Sequence, residues 1–169
     1  MKKITFITGG QRSGKSSYAQ KQAEAISENP VYLATSRIWD QDFKARIDRH
    51  KTDRGAHWIN VEEETYISKP ELSNKVVVLD CITLWLNNIF FDNKNNIDAA
   101  LKFSTEEWAK FIEQDFQVFV VSNELGMGVH SENEIARKFA DLQGWVNQHI
   151  ASTANEVVFM VSGIPQKIK

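Results

Sequence analysis

The chain carries one cysteine, Cys81, set in an apolar stretch, so no disulfide framework can hold it together. That lone thiol fits a reducing compartment and reads as a small buried hydrophobe rather than a nucleophile. No run of about 20 apolar residues occurs, which excludes a membrane-spanning helix. No signal-peptide core precedes the first apolar segment, and the expected location is cytoplasmic. A net charge of −2 gives no bulk attraction to nucleic acid or to a membrane surface. There is no internal repeat, no Pro/Ser/Gly-rich linker and no grouping of His, Cys, Asp and Glu at zinc spacing. What is present is ordinary for a folded protein. The 169 residues are 42% hydrophobic and 25% charged, enough for one domain, residues 1–169, with its own core.

Five short apolar runs read as buried parallel strands: Ile4–Thr8, Val31–Thr35, Val76–Asp80, Val118–Ser122 and Val157–Ser162. Helical patterns separate them. Ser16–Ile26 is rich in Ala, Gln, Lys and Glu, and Asp40–Lys51 is polar with Phe43 and Ile47 on one face. Ile82–Phe91 is strongly apolar and can pack on the sheet or against another subunit. Ser104-x-x-Glu107 and Ser131-x-x-Glu134 have the form of capping boxes. The second precedes the stripe Ile135, Phe139, Leu142, Val146 and Ile150. Strands alternating with helices predict an α/β fold, a mainly parallel sheet flanked by helices. Ligands of such sheets bind beyond the carboxyl ends of the strands.

The residues just after the first strand are the most informative. Gly9 to Ser16 read G-G-Q-R-S-G-K-S, a complete P-loop between a strand and a helix. Glycines let backbone N–H groups close around phosphate oxygens. Lys15 can reach the β- and γ-phosphates, and the Ser16 hydroxyl can ligate Mg²⁺. The chain is therefore expected to bind a nucleoside triphosphate. Asp80 ends the run Val76-Val77-Val78-Leu79, the pattern that delivers a carboxylate to Mg²⁺ opposite Ser16; alone the run would also fit a strand-end turn, but paired with the P-loop it favours the metal role. Ala34, Thr35 and Ser36 follow the second strand, where small residues can approach a nucleotide or cap the next helix. Glu124, after the fourth strand, is either a substrate or metal-shell contact or a solvated turn residue.

Residues 46–62 read R-I-D-R-H-K-T-D-R-G-A-H-W-I-N-V-E, and Arg46, Arg49, Lys51 and Arg54 crowd positive charge around His50. A solvated charged helix is one reading of this run. The other is a neutral imidazole that attacks phosphorus while neighbouring cations stabilise charge on the phosphoryl oxygens. His57, beside Trp58, reads as structural, and His130 and His149 carry weaker signals.

Taken together, G-G-Q-R-S-G-K-S, Y-L-A-T-S, A-R-I-D-R-H-K-T-D-R, H-W-I-N-V-E-E, V-V-L-D-C-I-T-L-W-L-N-N, S-N-E-L-G-M-G-V, G-W-V-N-Q and V-S-G-I-P resemble the bifunctional adenosylcobinamide kinase/adenosylcobinamide-phosphate guanylyltransferase family. The likeness runs in order from residue 4 to about residue 168. It implies a RecA-like P-loop NTPase fold, homotrimers, and a two-step enzyme of adenosylcobalamin biosynthesis. ATP or GTP first phosphorylates the aminopropanol hydroxyl of adenosylcobinamide. A histidine then takes GMP from GTP and passes it to the substrate phosphate, giving adenosylcobinamide-GDP. By this resemblance His50 is the guanylylated residue, and Lys15 acts with it in catalysis. Arg49 stands where relatives often carry a second histidine. The resemblance also implies a nucleotide site lined by Gly9, Gly10, Gln11, Arg12, Ser13, Gly14, Lys15, Ser16, Ala34, Thr35, Ser36, Lys51, Thr52, Asp53, Arg54, Glu62 and Leu84, with Mg²⁺ on Ser16 and Asp80. Gln11 departs from the more usual alanine. Alternatives from other classes are a monofunctional P-loop small-molecule kinase and a non-enzymatic nucleotide switch.

Overall fold

Every strand of the computed structural model belongs to one seven-stranded sheet; the structure describes residues 2–37 and 55–169. The strands are β1 (Lys3–Gly9), β2 (Val31–Ala34), β3 (Ile59–Glu62), β4 (Val76–Asp80), β5 (Gln117–Val121), β6 (Glu156–Val161) and β7 (Ile164–Lys167). Their spatial order is β3-β2-β4-β5-β1-β6-β7. Every neighbouring pair is parallel except the terminal hairpin β6–β7. The described helices are α1 (Lys15–Glu24), α2 (Ile82–Asp92), α3 (Ile97–Phe111) and α4 (Glu134–Thr153). This is the α/β P-loop fold expected from the sequence.

The side-chain period of two divides the central strands between two apolar layers. Ile4, Phe6, Val77, Leu79, Val118 and Val120 point to the larger layer, which α2, α3 and α4 cover with Trp85, Leu86, Trp108, Phe111, Leu142, Val146 and Ile150. Ile7, Val78, Phe119 and Val121 point to the other layer, which Ala19 and Ala23 of α1 cover together with Tyr32 and Trp58. Both faces of β1, β4 and β5 are therefore dry, which is why these strands read as unbroken apolar runs. Apolar α2 packs into the larger layer, with Phe91 left exposed.

Two strands escape the pattern that marks the other five. β3 is a mostly exposed edge strand of mixed polarity, and β7 is a fully exposed antiparallel edge containing Pro165. Edge positions do not demand a continuous apolar run and they tolerate proline. The two expected capping boxes are corrected as well. α3 begins at Ile97, where Asn96 Oδ1 accepts from Ala99 N at 3.0 Å. Ser104 lies inside that helix and donates to Leu101 O, while buried Glu107 accepts from Ser68 N at 2.8 Å. The Ser-x-x-Glu spacing is thus met by a back-bonded serine and a carboxylate that caps a neighbouring loop. In α4 the cap is Asn133, which accepts from Ala136 N at 3.0 Å; Ser131, two residues earlier, accepts from Asn133 N. The predicted α4 stripe is buried at Leu142, Val146 and Ile150, half-buried at Phe139 and exposed at Ile135. The expected helix Asp40–Lys51 lies outside the described residues.

Cys81 is buried at the β4–α2 junction, and desolvation, reinforced by the charge of Asp80, pushes its thiol pKa up to about 12. The thiol is therefore protonated at neutral pH and shielded. A thiol reagent such as an aromatic disulfide is expected to leave the native protein unlabelled and to titrate one group per chain in denaturant. Rapid labelling of folded protein would contradict this placement.

Candidate active site

The parallel register lines up the strand ends. Glu62 pairs with Ala34, Ala34 with Asp80, and Asp80 with Val121. Val121 pairs in turn with Ile7, two residues before Gly9. One row across the carboxyl edge therefore collects Glu62, Ala34, Asp80 and the start of the P-loop, residues between 9 and 80 in the sequence.

The loop itself is held from outside by backbone bonds. Glu124 N–H, in the segment after β5, donates to Gly9 O at 3.0 Å, and Gly163 N–H, in the β6–β7 turn, donates to Ser13 O at 3.0 Å. A trans peptide points its C=O and the following N–H in opposite directions. With the carbonyls of Gly9 and Ser13 turned outward, the N–H groups of Gly10 and Gly14 are turned to the loop's other side. Two glycines make this path possible. Gly9 has φ +148°, and a Cβ there would lie 2.5 Å from Met160 O; Gly14 has φ +91° and caps α1. Ser13 N–H donates to Gly10 O at 3.3 Å across the loop. Gln11 and Arg12 are exposed on its rim. α1 has no acidic residue in its first turn, so the positive end of its dipole is uncompensated by the helix.

Lys15 is only 6% exposed. Its Nζ donates to Gly10 O at 2.5 Å and reaches Ser13 Oγ at 3.4 Å. Burial holds its pKa below the usual lysine value, with Cys81 and Asp80 acting in the opposite direction. A buried ammonium whose hydrogen bonds go to neutral oxygens is well placed to gain from an anion. Ser16, half-buried, is the second residue of α1.

Asp80 is half-buried and accepts from Tyr32 Oη at 2.7 Å. Tyr32 meets Trp58 edge-on, with ring centroids 6.1 Å apart, and Trp58 Nε1 donates to Glu24 Oε1 at 2.9 Å. A chain of contacts thus runs from the end of α1 to the Asp80 carboxylate. His57 lies beside Trp58, with Nε2 3.5 Å from Glu24 Oε1, in keeping with a structural role.

Thr35 is fully buried. Its hydroxyl donates to Cys81 O at 2.8 Å and accepts from Cys81 N at 3.0 Å, pinning β2 to the β4–α2 junction, where the Asp80–Cys81 peptide is cis. Thr35 O accepts from Asn88 Nδ2 at 2.8 Å. The Thr35 side chain therefore organises the edge from below, between half-buried Ala34 and Ser36. Leu84 is half-buried in the first turn of α2 and packs on the smaller core layer. The neighbouring Thr83 hydroxyl accepts from Asn123 N at 3.1 Å.

His50, Lys51, Thr52, Asp53 and Arg54 lie outside the described residues. The chain on either side of them is anchored. Arg37 makes a two-bond pair with Asp92 at 2.9 and 3.0 Å and a third bond to Glu64 at 2.7 Å, which together raise its pKa. Trp58 is buried against β2. Sequence reasoning missed Arg37, Tyr32 and Gly163. The Ser162-Gly163 dipeptide, a turn signal, could have flagged Gly163; Arg37 and Tyr32 carry no comparable signal. The side chain of Glu124 bonds its own turn at Gly126 N, so its tie to the P-loop is made by the main chain.

Comparison with known proteins now bears on this geometry. The family model described as "CobU: Cobinamide kinase / cobinamide phosphate guanyltransferase" matches residues 5–168. The chain belongs to that family. It is 37% identical to the bifunctional adenosylcobalamin biosynthesis protein CobU of Escherichia coli K12, over 98% of this chain and 99% of that protein. The CobU protein of Salmonella typhimurium LT2 is likewise 37% identical, over 98% and 99%. The bifunctional protein CobP of Pseudomonas aeruginosa is 34% identical, over 97% and 96%.

Thr35→Val retains the shape of the side chain but strands the buried N–H of Cys81. It is expected to lower the unfolding free energy by about 1–3 kcal/mol, read as a lower urea midpoint at unchanged slope. An unchanged midpoint would remove the pin from the account.

Proposed function

We propose that this family member phosphorylates adenosylcobinamide with ATP or GTP and then transfers GMP from GTP to the product, giving adenosylcobinamide-GDP. The observation that carries the reading is the arrangement at the carboxyl edge. The outward-anchored P-loop follows, and the Asp80 carboxylate ends, adjacent rows of strand ends, buried Lys15 opens the helix after the loop, and His50 follows β2 in the sequence.

In the first half-reaction the loop amides and Lys15 hold the triphosphate, and the alcohol of the corrinoid side chain attacks the γ-phosphorus as ADP or GDP departs. The protein's part is to position the phosphates and neutralise charge at their oxygens. In the second, a neutral His50 nitrogen attacks the α-phosphorus of GTP and pyrophosphate leaves. The phosphate oxygen of the corrinoid then attacks the phosphoramidate phosphorus, and the imidazole departs with its electron pair. Imidazole suits both roles, because it is a competent nucleophile and a good leaving group. Lys51, Thr52, Asp53, Arg54, Glu62, Ala34, Ser36 and Leu84 are proposed to line the nucleotide beyond its phosphates.

Mg²⁺ fits the residues present. Ser16 and Asp80 offer hard oxygen donors, and the described residues contain no cluster of three or more His, Cys, Asp and Glu that would enclose another metal. Magnesium commonly takes one or two protein oxygens and completes its shell with phosphate and water. When bound it would neutralise phosphate charge between Ser16 and Asp80. No helix among the described residues is long and apolar enough to cross a membrane. A cytoplasmic homotrimer of single-domain chains is proposed from the family resemblance.

Incubation with α-³²P-GTP and Mg²⁺, then denaturation, is expected to leave acid-labile, alkali-stable label on the wild-type protein and none on His50→Ala. An unlabelled wild type would defeat the transferase half. A His50→Ala protein fully active in every step would favour the monofunctional kinase.

A further inference from the structure

The segment that ties β5 to the P-loop continues into an unusual surface. From Glu124 the chain runs through Leu125–Ser131 and folds along one face of α4. Between them lies an open cavity of about 500 Å³, within the size range of ligand sites. Its apolar groups are uncovered: Val129 is 99% exposed, Trp145 46% and Leu125 42%. Arg137, Asp141 and Gln148 of α4 add polar groups to the same cavity.

Gly144 is the telling residue. It lies within the 20-residue helix α4, where glycine weakens the helix relative to alanine. Beyond its chain neighbours and the backbone of its own helix, no described atom lies within 4 Å of the position its Cβ would occupy, so packing against the rest of the protein does not require the missing side chain. The effect is a bare stretch of helix beside the Trp145 ring, a shelf that something can approach closely.

We propose that this shelf, on α4 and the Leu125–Ser131 loop, receives one face of the corrin ring of the cobinamide substrate. The inference rests on the function proposed above and deepens it. A corrinoid is a broad, flat macrocycle with apolar faces and a rim of neutral amides. The bare helix at Gly144 admits the flat face, Trp145 supplies an aromatic contact, and the polar residues of α4 meet the rim amides. The placement also suits the reaction. The loop begins at Glu124, whose N–H holds Gly9 O, so the shelf continues directly from the segment that braces the P-loop.

Two full-length variants test this. Gly144→Leu adds a side chain where the described protein leaves space and where leucine favours the helix, so folding is retained. Trp145→Ala removes the aromatic contact. The readouts are equilibrium dialysis of adenosylcobinamide, followed by its visible absorbance, the KM for that substrate, and oligomeric mass by light scattering. Each variant is expected to weaken corrinoid binding and raise KM about tenfold or more, the scale of losing a buried aromatic anchor. Labelling by α-³²P-GTP, which needs no corrinoid, should stay at the wild-type level, and the mass should be unchanged. Corrinoid affinity unchanged in Gly144→Leu overturns the proposal. A loss of affinity that tracks a change in mass also overturns it, and assigns the face to contact between copies. A wild type that binds the corrinoid but phosphorylates none leaves the shelf standing and removes the kinase reading; a wild type that binds no corrinoid removes both.

Discussion

Two backbone hydrogen bonds, Glu124 N–H to Gly9 O and Gly163 N–H to Ser13 O, are the constraint on which the shape of the P-loop depends. Phosphate binding by a P-loop requires N–H groups that already converge before the anion arrives. An unsupported glycine-rich segment would have to be ordered at the expense of binding energy. Here the ordering is done by β5 and by the β6–β7 hairpin. The hairpin also places Met160 O against Gly9 and Gly163 against Gly14, so both loop glycines are enforced by close packing as well as by backbone angle. β7 is exposed over its whole length and adds nothing to the core, yet the turn leading into it holds the P-loop.

The remainder of the edge is organised around Cys81. Thr35 bonds both its N–H and its C=O, which locks the end of β2 to the residue following Asp80. Asn88 then bonds Thr35 O and Glu64 O, and Arg37 joins Glu64 to Asp92 at the end of α2. The chain therefore leaves β2 through consecutive anchors before it reaches the His50 segment, and it is tied down again at Trp58. Under the role proposed for His50, rigid flanking anchors would lower the orientational cost of attack.

Much of this was readable beforehand, for identifiable reasons. The P-loop and the Val76–Asp80 strand carry side-chain signatures, since phosphate chemistry demands lysine, hydroxyl and carboxylate at set places. The five two-face-buried strands were readable because burial on both sides excludes polar residues. β3 and β7 were not, because an edge strand meets solvent and its composition is unconstrained. The helix starts at Asn96 and Asn133 were misread for a related reason. Ser-x-x-Glu satisfies a capping box, but serine can also bond back inside a helix, and asparagine caps as well as serine does. The anchoring of the P-loop left no trace at Glu124, because main-chain donors are common to almost all residue types. At Thr35 the residue was noticed and its partner was not, since sequence does not say which strand end lies opposite.

If one preordered cradle serves both phosphoryl and guanylyl transfer, the two nucleotides must exclude each other. The most direct measurement is the rate at which the protein becomes guanylylated by GTP as a non-hydrolysable β,γ-imido analogue of ATP is added. One shared loop predicts competitive inhibition that proceeds to completion and is relieved by more GTP. Guanylylation that persists at saturating analogue would mean that GTP is gripped elsewhere, and the single-site account would be wrong.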